Sequence, residues 1–312
     1  MPKGIYKDST PLTKLLLSGT IAFTSLLIFY LIGIAVVKLI YHTDLSDLAK
    51  SDPQVFIASH AAAFKLFQVL QDIGFFIIPP FLIGWLIERD SFGYLKLNQK
   101  SGAFGYLIVP LILIASIPFV NYLAAANEAM HLPSSLKSME SWMKEAENSA
   151  EALTKVFLKS ESWGDLVSNL LLIALLPAIG EELLFRGLLQ RQFTELSKNP
   201  HVGIWLAAFL FSFMHFQFFG FFPRLILGVL LGYIYYFSRS LWLPILGHFA
   251  NNALAVIFYY LSSTNQISTK ADEIGSQPDE IHVAFISLAI AGVLLYALYR
   301  VELKYRKTNS LT

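Results

Sequence analysis

The chain contains no cysteine, and only 14% of its 312 residues are charged. Without cysteine there are no disulfides, no thiol catalysis and no cysteine-ligated metal centres. A soluble domain usually has about 25% charged residues, so the charge content is too low for an ordinary soluble fold. The net charge of +1 provides no basic surface for a nucleic acid. Apolar residues, by contrast, make up 55% of the chain.

Eight apolar stretches alternate with polar loops, most of them within the roughly 17–30 residues that a membrane-spanning helix requires. They cover about residues 15–41, 55–87, 104–126, 163–189, 202–219, 225–237, 241–261 and 282–299. Pro79-Pro80 predicts a kink in the second stretch. We therefore predict an all-α transmembrane helix bundle of about eight spans.

The charged residues of the loops alternate in sign from one end of the spans to the other. The cations collect on one face: Lys3, Lys7, Lys14, Arg89, Lys96, Lys100, Arg191, Lys198, Arg239, Arg300, Lys304, Arg306 and Lys307. The acids collect on the opposite face: Asp44, Asp47, Asp52, Asp272, Glu273, Asp279, Glu280 and those within the loop 127–162. Since Lys and Arg favour cytoplasmic loops, both termini are predicted to be cytoplasmic.

The segment 127–162 is the one long polar loop between predicted spans. Its apolar residues recur at helical spacing, at Met130, Leu136, Met139, Trp142 and Met143. This pattern is typical of an amphipathic helix that lies at the membrane interface. Such a helix could be a lid on the outer surface or a gate for substrate, and we favour the lid as the simpler interpretation.

Two adjacent carboxylates, Glu181 and Glu182, lie in the fourth apolar stretch. A charge at bilayer depth costs at least ~2.5 kcal/mol, so each carboxylate needs a compensating partner. Arg186 follows Glu182 by four residues and can pair with it on one helix face. Glu181 points about 100° away from Glu182, so its partner must come from another helix.

Strongly polar residues also lie deep in the fifth and seventh stretches, at His215, His248 and Asn252. At 1.5 Å per residue, Glu181, His215 and His248 lie ~14, ~20 and ~12 Å from the cytoplasmic ends of their helices. With ordinary helix tilts these depths coincide, and we expect one site that opens toward the cytoplasmic half of the membrane. His248 and Asn252 are four residues apart and share a helix face.

Another polar stripe, Lys65, Gln68 and Asp72, lies along one face of the second stretch. We predict a structural role for it, in which Lys65 partly neutralises Asp72 or the stripe faces a water pocket.

Three motifs on three different spans carry the two acids, the two histidines and the amide. They are Glu181-Glu182-x-x-x-Arg186, Phe211-x-x-x-His215 and His248-x-x-x-Asn252. In order, separation and placement they resemble the CAAX-protease and bacteriocin-processing family of intramembrane endopeptidases, which are similar to type II CAAX prenyl endopeptidases. The resemblance divides the chain into N-terminal helices with the amphipathic segment (1–162), a catalytic core (163–262), and a last part with the outer loop, final span and basic tail (263–312).

The resemblance implies a role for each motif position. Glu181 corresponds to the general base that activates the attacking water together with His215. Glu182 and Arg186 match the second acid and the arginine of the first motif. These roles suit the chemistry, because peptide hydrolysis needs a base that deprotonates water.

His248 and Asn252 match the pair that stabilises the oxyanion in this family. The family is often described as metalloproteases, and zinc held by Glu181, His215 and His248 would leave one position open for water. No HExxH helix is present, and we favour the metal-free alternative, in which no cofactor is needed.

The resemblance implies an endopeptidase that is integral to a membrane. Since the family has prokaryotic members, we expect this to be the bacterial cytoplasmic membrane. Its partners would be the lipid bilayer and a peptide or lipid-modified protein substrate, in processes such as peptide maturation, export or immunity. Two alternatives use the same residues: a proton-coupled transporter with Glu181 and Glu182 as coupling carboxylates, and a non-catalytic scaffold that binds peptides. Transporters usually contain paired repeats, and none is visible in this sequence.

Overall fold

Helices account for nearly all of the regular structure in this computed structural model, which describes residues 4–50, 52–160, 162–264, 266 and 274–309. No strand occurs among these residues, which confirms the predicted all-α bundle. The helices are α1 (Pro11–Tyr41), α2 (Pro53–Ser59), α3 (Ala61–Glu88), α4 (Ser91–Tyr94), α5 (Ala103–Glu128), α6 (Lys137–Leu158), α7 (Trp163–Ser197), α8 (Pro200–Phe213), α9 (Phe221–Ser238), α10 (Trp242–Ser263) and α11 (Ile281–Asn309). The predicted charge positions Lys3, Asp272 and Glu273 lie outside the described residues.

Seven helices in the described part of the chain are long and apolar enough to cross a membrane: α1, α3, α5, α7, α9, α10 and α11. The second predicted span begins later than expected, because the short helix α2 ends at Ser59 and α3 starts at Ala61. Helix α6 is amphipathic, as the spacing of its apolar residues predicts.

The fifth predicted span, 202–219, is shorter than expected. Helix α8 has 14 residues and ends at Phe213. That length is ~21 Å, less than a hydrocarbon core of ~30 Å. Phe216 adopts a left-handed conformation with φ 51°, and the Ser212 hydroxyl donates to the Phe221 carbonyl at 2.6 Å. The chain therefore turns back into α9, and this tight turn, 214–220, carries His215.

Wider, π-helical turns interrupt α3 and α7 next to their prolines. One covers Ile73–Ile77 ahead of Pro79 and Pro80, and another covers Leu170–Leu175 ahead of Pro177. Proline lacks an N–H and crowds the carbonyl four residues earlier, so a wider turn is a natural accommodation. A third such turn, Leu183–Gln190, follows the two glutamates directly. Glu181 and Glu182 thus lie in a short α-helical turn between two π segments, a feature that is frequent at functional sites.

Helix α7 is the centre of the bundle and contacts α1, α3, α8, α9 and α10. Its apolar side chains form the middle of the largest core, where Leu183, Leu184, Phe185 and Leu188 are all buried. This burial holds the two glutamates at a fixed rotation among five neighbouring helices.

Helix α5 is tied to α11 at its second internal proline, Pro118. The Phe119 N–H donates to the Ser287 hydroxyl at 3.2 Å, and that hydroxyl donates to the Ala115 carbonyl. Ser287 of α11 therefore inserts into the hydrogen-bond ladder of α5, which is a common cause of a helix bend.

On its other side, α5 packs tightly against α10 at Gly247. A Cβ there would lie 2.9 Å from Val109 Cγ1 and 3.1 Å from Leu113 Cδ2, so only glycine allows this approach. Beyond this contact a cavity of about 600 Å³ separates the two helices under α6. It is lined by Ser116, Ile117, Val120 and Asn121 of α5, Glu151 and Lys155 of α6, and Asn251, Leu254, Ala255, Phe258, Tyr259, Ser262 and Ser263 of α10.

We predict that Ser287→Ala destabilises the bundle, because it leaves the Phe119 N–H and the Ala115 carbonyl without their bridging hydroxyl. A buried polar group left unsatisfied costs about 1–3 kcal/mol, which should lower the thermal unfolding midpoint in detergent. Thr308→Ala, which removes an exposed hydroxyl of the same helix, is the control. Equal midpoints for the two variants would contradict the bridging role of Ser287.

Candidate active site

Glu182 and Arg186 form the ion pair that their spacing predicts. Arg186 Nη1 lies 2.6 Å from Glu182 Oε1, and the two side chains are 1% and 0% exposed. Arg186 Nη2 donates to the Gly228 carbonyl of α9 at 2.9 Å, and Arg186 Cζ lies 5.0 Å from the centroid of the Phe211 ring. The guanidinium is therefore held by a carboxylate, a carbonyl and an aromatic face, a set that can offset its burial.

The contribution of Gly228 was not visible in the sequence. A Cβ at this position would lie 3.0 Å from Ala208 Cβ and 3.3 Å from Phe211 Cδ1. Glycine therefore lets α9 pack closely on α8, next to the guanidinium that its carbonyl binds. A backbone carbonyl carries no residue-type signal, so only the helix packing reveals this partner.

His248 of α10 lies between the two glutamates. Its Nδ1 is 2.8 Å from Glu182 Oε1, and its Nε2 is 3.7 Å from Glu181 Oε2. An ionised carboxylate only accepts hydrogen bonds, so Nδ1 carries the proton. In the neutral ring Nε2 is then the free acceptor, and it faces Glu181. Glu181 is thus approached from another helix, as the helical geometry predicts, but an unprotonated Nε2 makes no hydrogen bond to an ionised Glu181.

His215 lies in the tight turn 214–220, beside these residues. Its Nδ1 donates to the Phe211 carbonyl at 2.8 Å, which leaves Nε2 as the acceptor. It lies within electrostatic range of Glu181 and His248. Among the described residues no direct hydrogen bond joins it to either side chain.

Asn252 lies one turn beyond His248 on the same face of α10. Its side-chain oxygen accepts a hydrogen bond from Asn251 Nδ2 at 3.3 Å, and Asn251 in turn lines the cavity beside α5. Of the six predicted site residues, four therefore meet directly: Glu181, Glu182, Arg186 and His248. His215 and Asn252 flank this group.

Two charged residues near the site were not predicted to be there. Arg224 was not singled out in the sequence, and Asp72 was assigned a structural role with Lys65. Arg224 interacts electrostatically with Glu181 and His215, and its Nη1 donates to the Gln217 carbonyl at 3.1 Å, inside the turn that carries His215. The sequence feature that could have indicated Arg224 is its position directly before the apolar stretch 225–237. Asp72 is also within electrostatic range of Glu181 and is 9% exposed.

The predicted neutralisation of Asp72 by Lys65 is wrong. Lys65 Nζ instead donates to Asn169 Oδ1 of α7 at 2.8 Å. The two residues lie two helical turns apart on α3, so an acceptor on a neighbouring helix is within easier reach of the long lysine side chain.

The amphipathic helix α6 covers the turn that carries His215. Glu147 Oε2 accepts from the Phe219 N–H at 3.2 Å, and the Trp142 and Phe218 rings lie 5.4 Å apart. Asn127, at the end of α5, holds the same turn through the Phe218 carbonyl and the Phe222 N–H, at 3.2 and 3.0 Å. A 14-residue α8 leaves this turn at membrane depth, where non-helical backbone must be covered by protein.

The start of α6 is held by Glu140, outside the spans. Its carboxylate accepts from Lys144 Nζ at 2.8 Å and from the Leu132 N–H at 3.2 Å, and it pairs with His131 at 3.1 Å. Hydrogen bonds from Lys144, and then from His131, lower the pKa of Glu140 to about 2. The carboxylate is therefore ionised at neutral pH and can keep the start of α6 in place.

The three residues of the zinc alternative, Glu181, His215 and His248, are not grouped as the ligands of one metal ion. Among the described residues no three His, Asp or Glu side chains are grouped so that they could hold a metal ion. Both ring nitrogens of His248 face carboxylates, and His215 uses Nδ1 for a backbone carbonyl. The set Glu181, His215 and His248 therefore does not form a ready metal site.

The segment that contains this group also matches a known family. Residues 163–254 match the model of the Rce1-like type II CAAX prenyl endopeptidases. Over this segment the chain is similar to that family. The resemblance expected from the three motifs is thereby confirmed, and all six site residues lie within the match. The apolar helices and the family match together indicate an integral membrane protein similar to the CAAX proteases.

A curated relative also aligns with part of the chain. It is the uncharacterized protein YpbD of Bacillus subtilis (strain 168), which is 30% identical over 92 residues. The alignment covers 28% of this chain and 44% of the relative, so the chain spans less than half of that protein. No solved structure matches the chain.

We predict that Arg186→Ala lowers both the abundance and the thermal stability of the protein. Stranding one partner of a buried ion pair typically costs ~3–5 kcal/mol. Arg191→Ala on the same helix is the control, since Arg191 is 25% exposed and its ion pairs with Glu88 and Glu195 should contribute less. Fluorescence-detected size exclusion with a heating step measures the abundance and thermal stability of both variants. An Arg186→Ala protein as stable as the control would refute the stabilising role of the Glu182–Arg186 pair.

Proposed function

We propose that this protein is an intramembrane endopeptidase in which a glutamate activates water without a metal. The observation that supports it is His248, which is held by the buried Glu182–Arg186 pair and presents Nε2 to Glu181 at 3.7 Å. This arrangement lies within the segment that matches the Rce1-like family.

In the proposed reaction Glu181 removes a proton from water, and the water oxygen attacks the carbonyl carbon of the substrate peptide. The carbonyl oxygen becomes an oxyanion, the C–N bond then breaks, and the proton passes to the leaving amine. General acid–base catalysis of this kind needs a base within reach of the water. His248 Nε2, next to Glu181, can share that proton.

Glu182 and Arg186 are positioning residues in this scheme. Glu182 accepts the Nδ1 proton of His248 and so fixes the tautomer and the orientation of the imidazole, while Arg186 keeps Glu182 ionised. The family resemblance implies that His248 stabilises the oxyanion. Because His248 contacts both acids, we propose that it also shares the proton that Glu181 removes from water. The amide of Asn252, whose oxygen is held by Asn251, is then the neutral donor for the oxyanion.

The cavity between α5, α6 and α10 is the proposed path for the substrate. Its volume of about 600 Å³ lies within the usual range for ligand pockets, and its lining combines apolar side chains with hydroxyl and amide groups. Asn251 belongs to this lining and donates to Asn252, so the cavity ends beside one residue of the proposed catalytic group. An extended peptide fits this lining, because its backbone needs hydrogen bonds and its side chains need apolar contacts.

The direction of the cavity differs from the expected opening toward the cytoplasmic half. It extends from Asn251 toward Ser262 and Ser263 at the C-terminal end of α10, the end that the charge pattern places on the outer side. We therefore propose that a peptide or lipid-modified protein approaches the site under α6, in what would be a bacterial cytoplasmic membrane.

We predict that Glu181→Gln lowers cleavage of a membrane-associated peptide by roughly 10²–10⁴-fold, the usual contribution of a general base. Glu195→Gln on the same helix, which is 32% exposed, is the control and should retain activity. The assay uses proteoliposomes with a peptide library and mass-spectrometric detection of products. Wild-type proton flux without cleavage would instead favour a transporter, and peptide retention without cleavage would favour a scaffold.

Zinc content measured on the same samples tests the metal-free mechanism. We expect cleavage to continue in strong chelators, with far less than one zinc per chain. About one zinc per chain in the wild type, lost in His248→Ala, would overturn this part of the proposal.

We predict that Ala255→Trp weakens substrate binding, because the new ring fills the cavity from an exposed position of its lining. The KM for a long peptide should rise by roughly tenfold, ~1.4 kcal/mol, while kcat changes little. Ile257→Trp is the control, since Ile257 is 36% exposed on the same helix but does not line the cavity. Equal KM values for the two variants would exclude the cavity as the substrate path and leave the catalytic proposal intact.

A further inference from the structure

A second pocket, of about 430 Å³, lies between the C-terminal ends of α9 and α11. None of the six candidate site residues lines it. Three cations line it: Arg239 from the end of α9, and Arg306 and Lys307 from α11. Phe237 and Tyr299 form an aromatic wall, with their ring centroids 5.2 Å apart. The pocket is therefore both strongly basic and partly apolar.

Arg239 and Arg306 line the same pocket, so their like charges repel each other, and Glu302 offsets part of the charge of Arg306. Among the described residues no acid lines the pocket. Glu302, one turn before Arg306, is 0% exposed and accepts from the Gly102 N–H at 3.2 Å, on the side of α5. Arg306 Nε donates to the backbone carbonyl of Glu302 at 3.3 Å, which anchors its guanidinium next to the pocket. An anion in the pocket would relieve the repulsion between the two arginines.

The position of the pocket indicates which anion. Helix α9 ends at Ser238, and the apolar part of α11 gives way to basic residues after Tyr299. The pocket thus lies at one face of the bilayer, where aromatic side chains prefer the headgroup level. Basic pockets between transmembrane helices at this level are suited to anionic lipid headgroups, and the aromatic wall offers an apolar surface for the glycerol and the first acyl carbons.

We propose that the pocket formed by Arg239, Arg306, Lys307, Phe237 and Tyr299 binds the phosphate headgroup of an anionic phospholipid. The arginines would hold the phosphate oxygens through their planar N–H groups. The site is separate from the proposed catalytic group and does not depend on the proposed peptidase activity.

The test is lipid binding to the full chain purified in a neutral detergent. Phosphatidylglycerol or phosphatidylcholine is added, and bound lipid per chain is measured by native mass spectrometry. We expect retention of phosphatidylglycerol, and at least a tenfold weaker affinity in the double variant Arg239→Gln/Arg306→Gln, from the usual contribution of each cation near an anionic lipid. The control is Arg89→Gln/Arg300→Gln, which removes the same charge near the same ends of the spans but outside the pocket.

Several results would overturn the proposal. One is that the double variant binds phosphatidylglycerol as tightly as the control does. Another is that the wild type retains phosphatidylcholine as well as it retains phosphatidylglycerol. Inorganic phosphate that displaces the lipid at low millimolar concentration would assign the pocket to a soluble phosphate instead. If the double variant aggregates, the single variants Arg239→Gln and Arg306→Gln carry the test, and each should weaken phosphatidylglycerol binding by about fivefold.

Discussion

The bundle depends on the solution to one electrostatic problem, a carboxylate and a guanidinium that are both removed from solvent. Glu182 and Arg186 are 0% and 1% exposed, and neither could remain charged there alone. The neighbouring helices contribute partners to them: α9 the Gly228 carbonyl, α8 the face of Phe211, and α10 the Nδ1 proton of His248, while Glu182 Oε2 is buried without a hydrogen bond. Three helices are thus fixed in rotation and depth by a single pair of side chains.

The two adjacent glutamates have different surroundings, which suit Glu182 to a structural role and Glu181 to a reactive one. Glu182 Oε1 accepts two hydrogen bonds and is fully enclosed, whereas the Glu181 side chain is 13% exposed and its contact to His248 is looser at 3.7 Å. A group that must exchange protons with water benefits from such freedom, while the group that orients its neighbour does not. Adjacent positions on a helix point about 100° apart, and this geometry allows identical side chains to serve different purposes.

Several elements of this fold and site were predictable from local patterns. The i, i+4 spacing predicts the Glu182–Arg186 pair, and the spacing of Met139, Trp142 and Met143 predicts the amphipathic helix α6, which begins only after Met130 and Leu136. The contacts between helices were less accessible, because they depend on the rotation of each helix. That is why His248 was not expected to contact both acids, and why Lys65 was assigned to Asp72 rather than Asn169. The end of α8 at Phe213 was missed for another reason: the turn that follows is as apolar as a helix, and its backbone partners come from Asn127 and Glu147 elsewhere in the chain.

The shortness of α8 also has a consequence for the lipids around it. With 14 residues it is ~9 Å shorter than an average hydrocarbon core, yet Trp205, Phe209 and Phe213 expose large apolar surfaces on its outer side. A hydrophobic stretch of this length is accommodated when the adjacent bilayer becomes thinner. Lipid chains next to α8 would therefore be compressed, and a neighbouring transmembrane segment would place its ends in the headgroup region. Such a segment loses part of the hydrocarbon environment that keeps its backbone helical, so this side of the protein is where a membrane helix would unwind most easily.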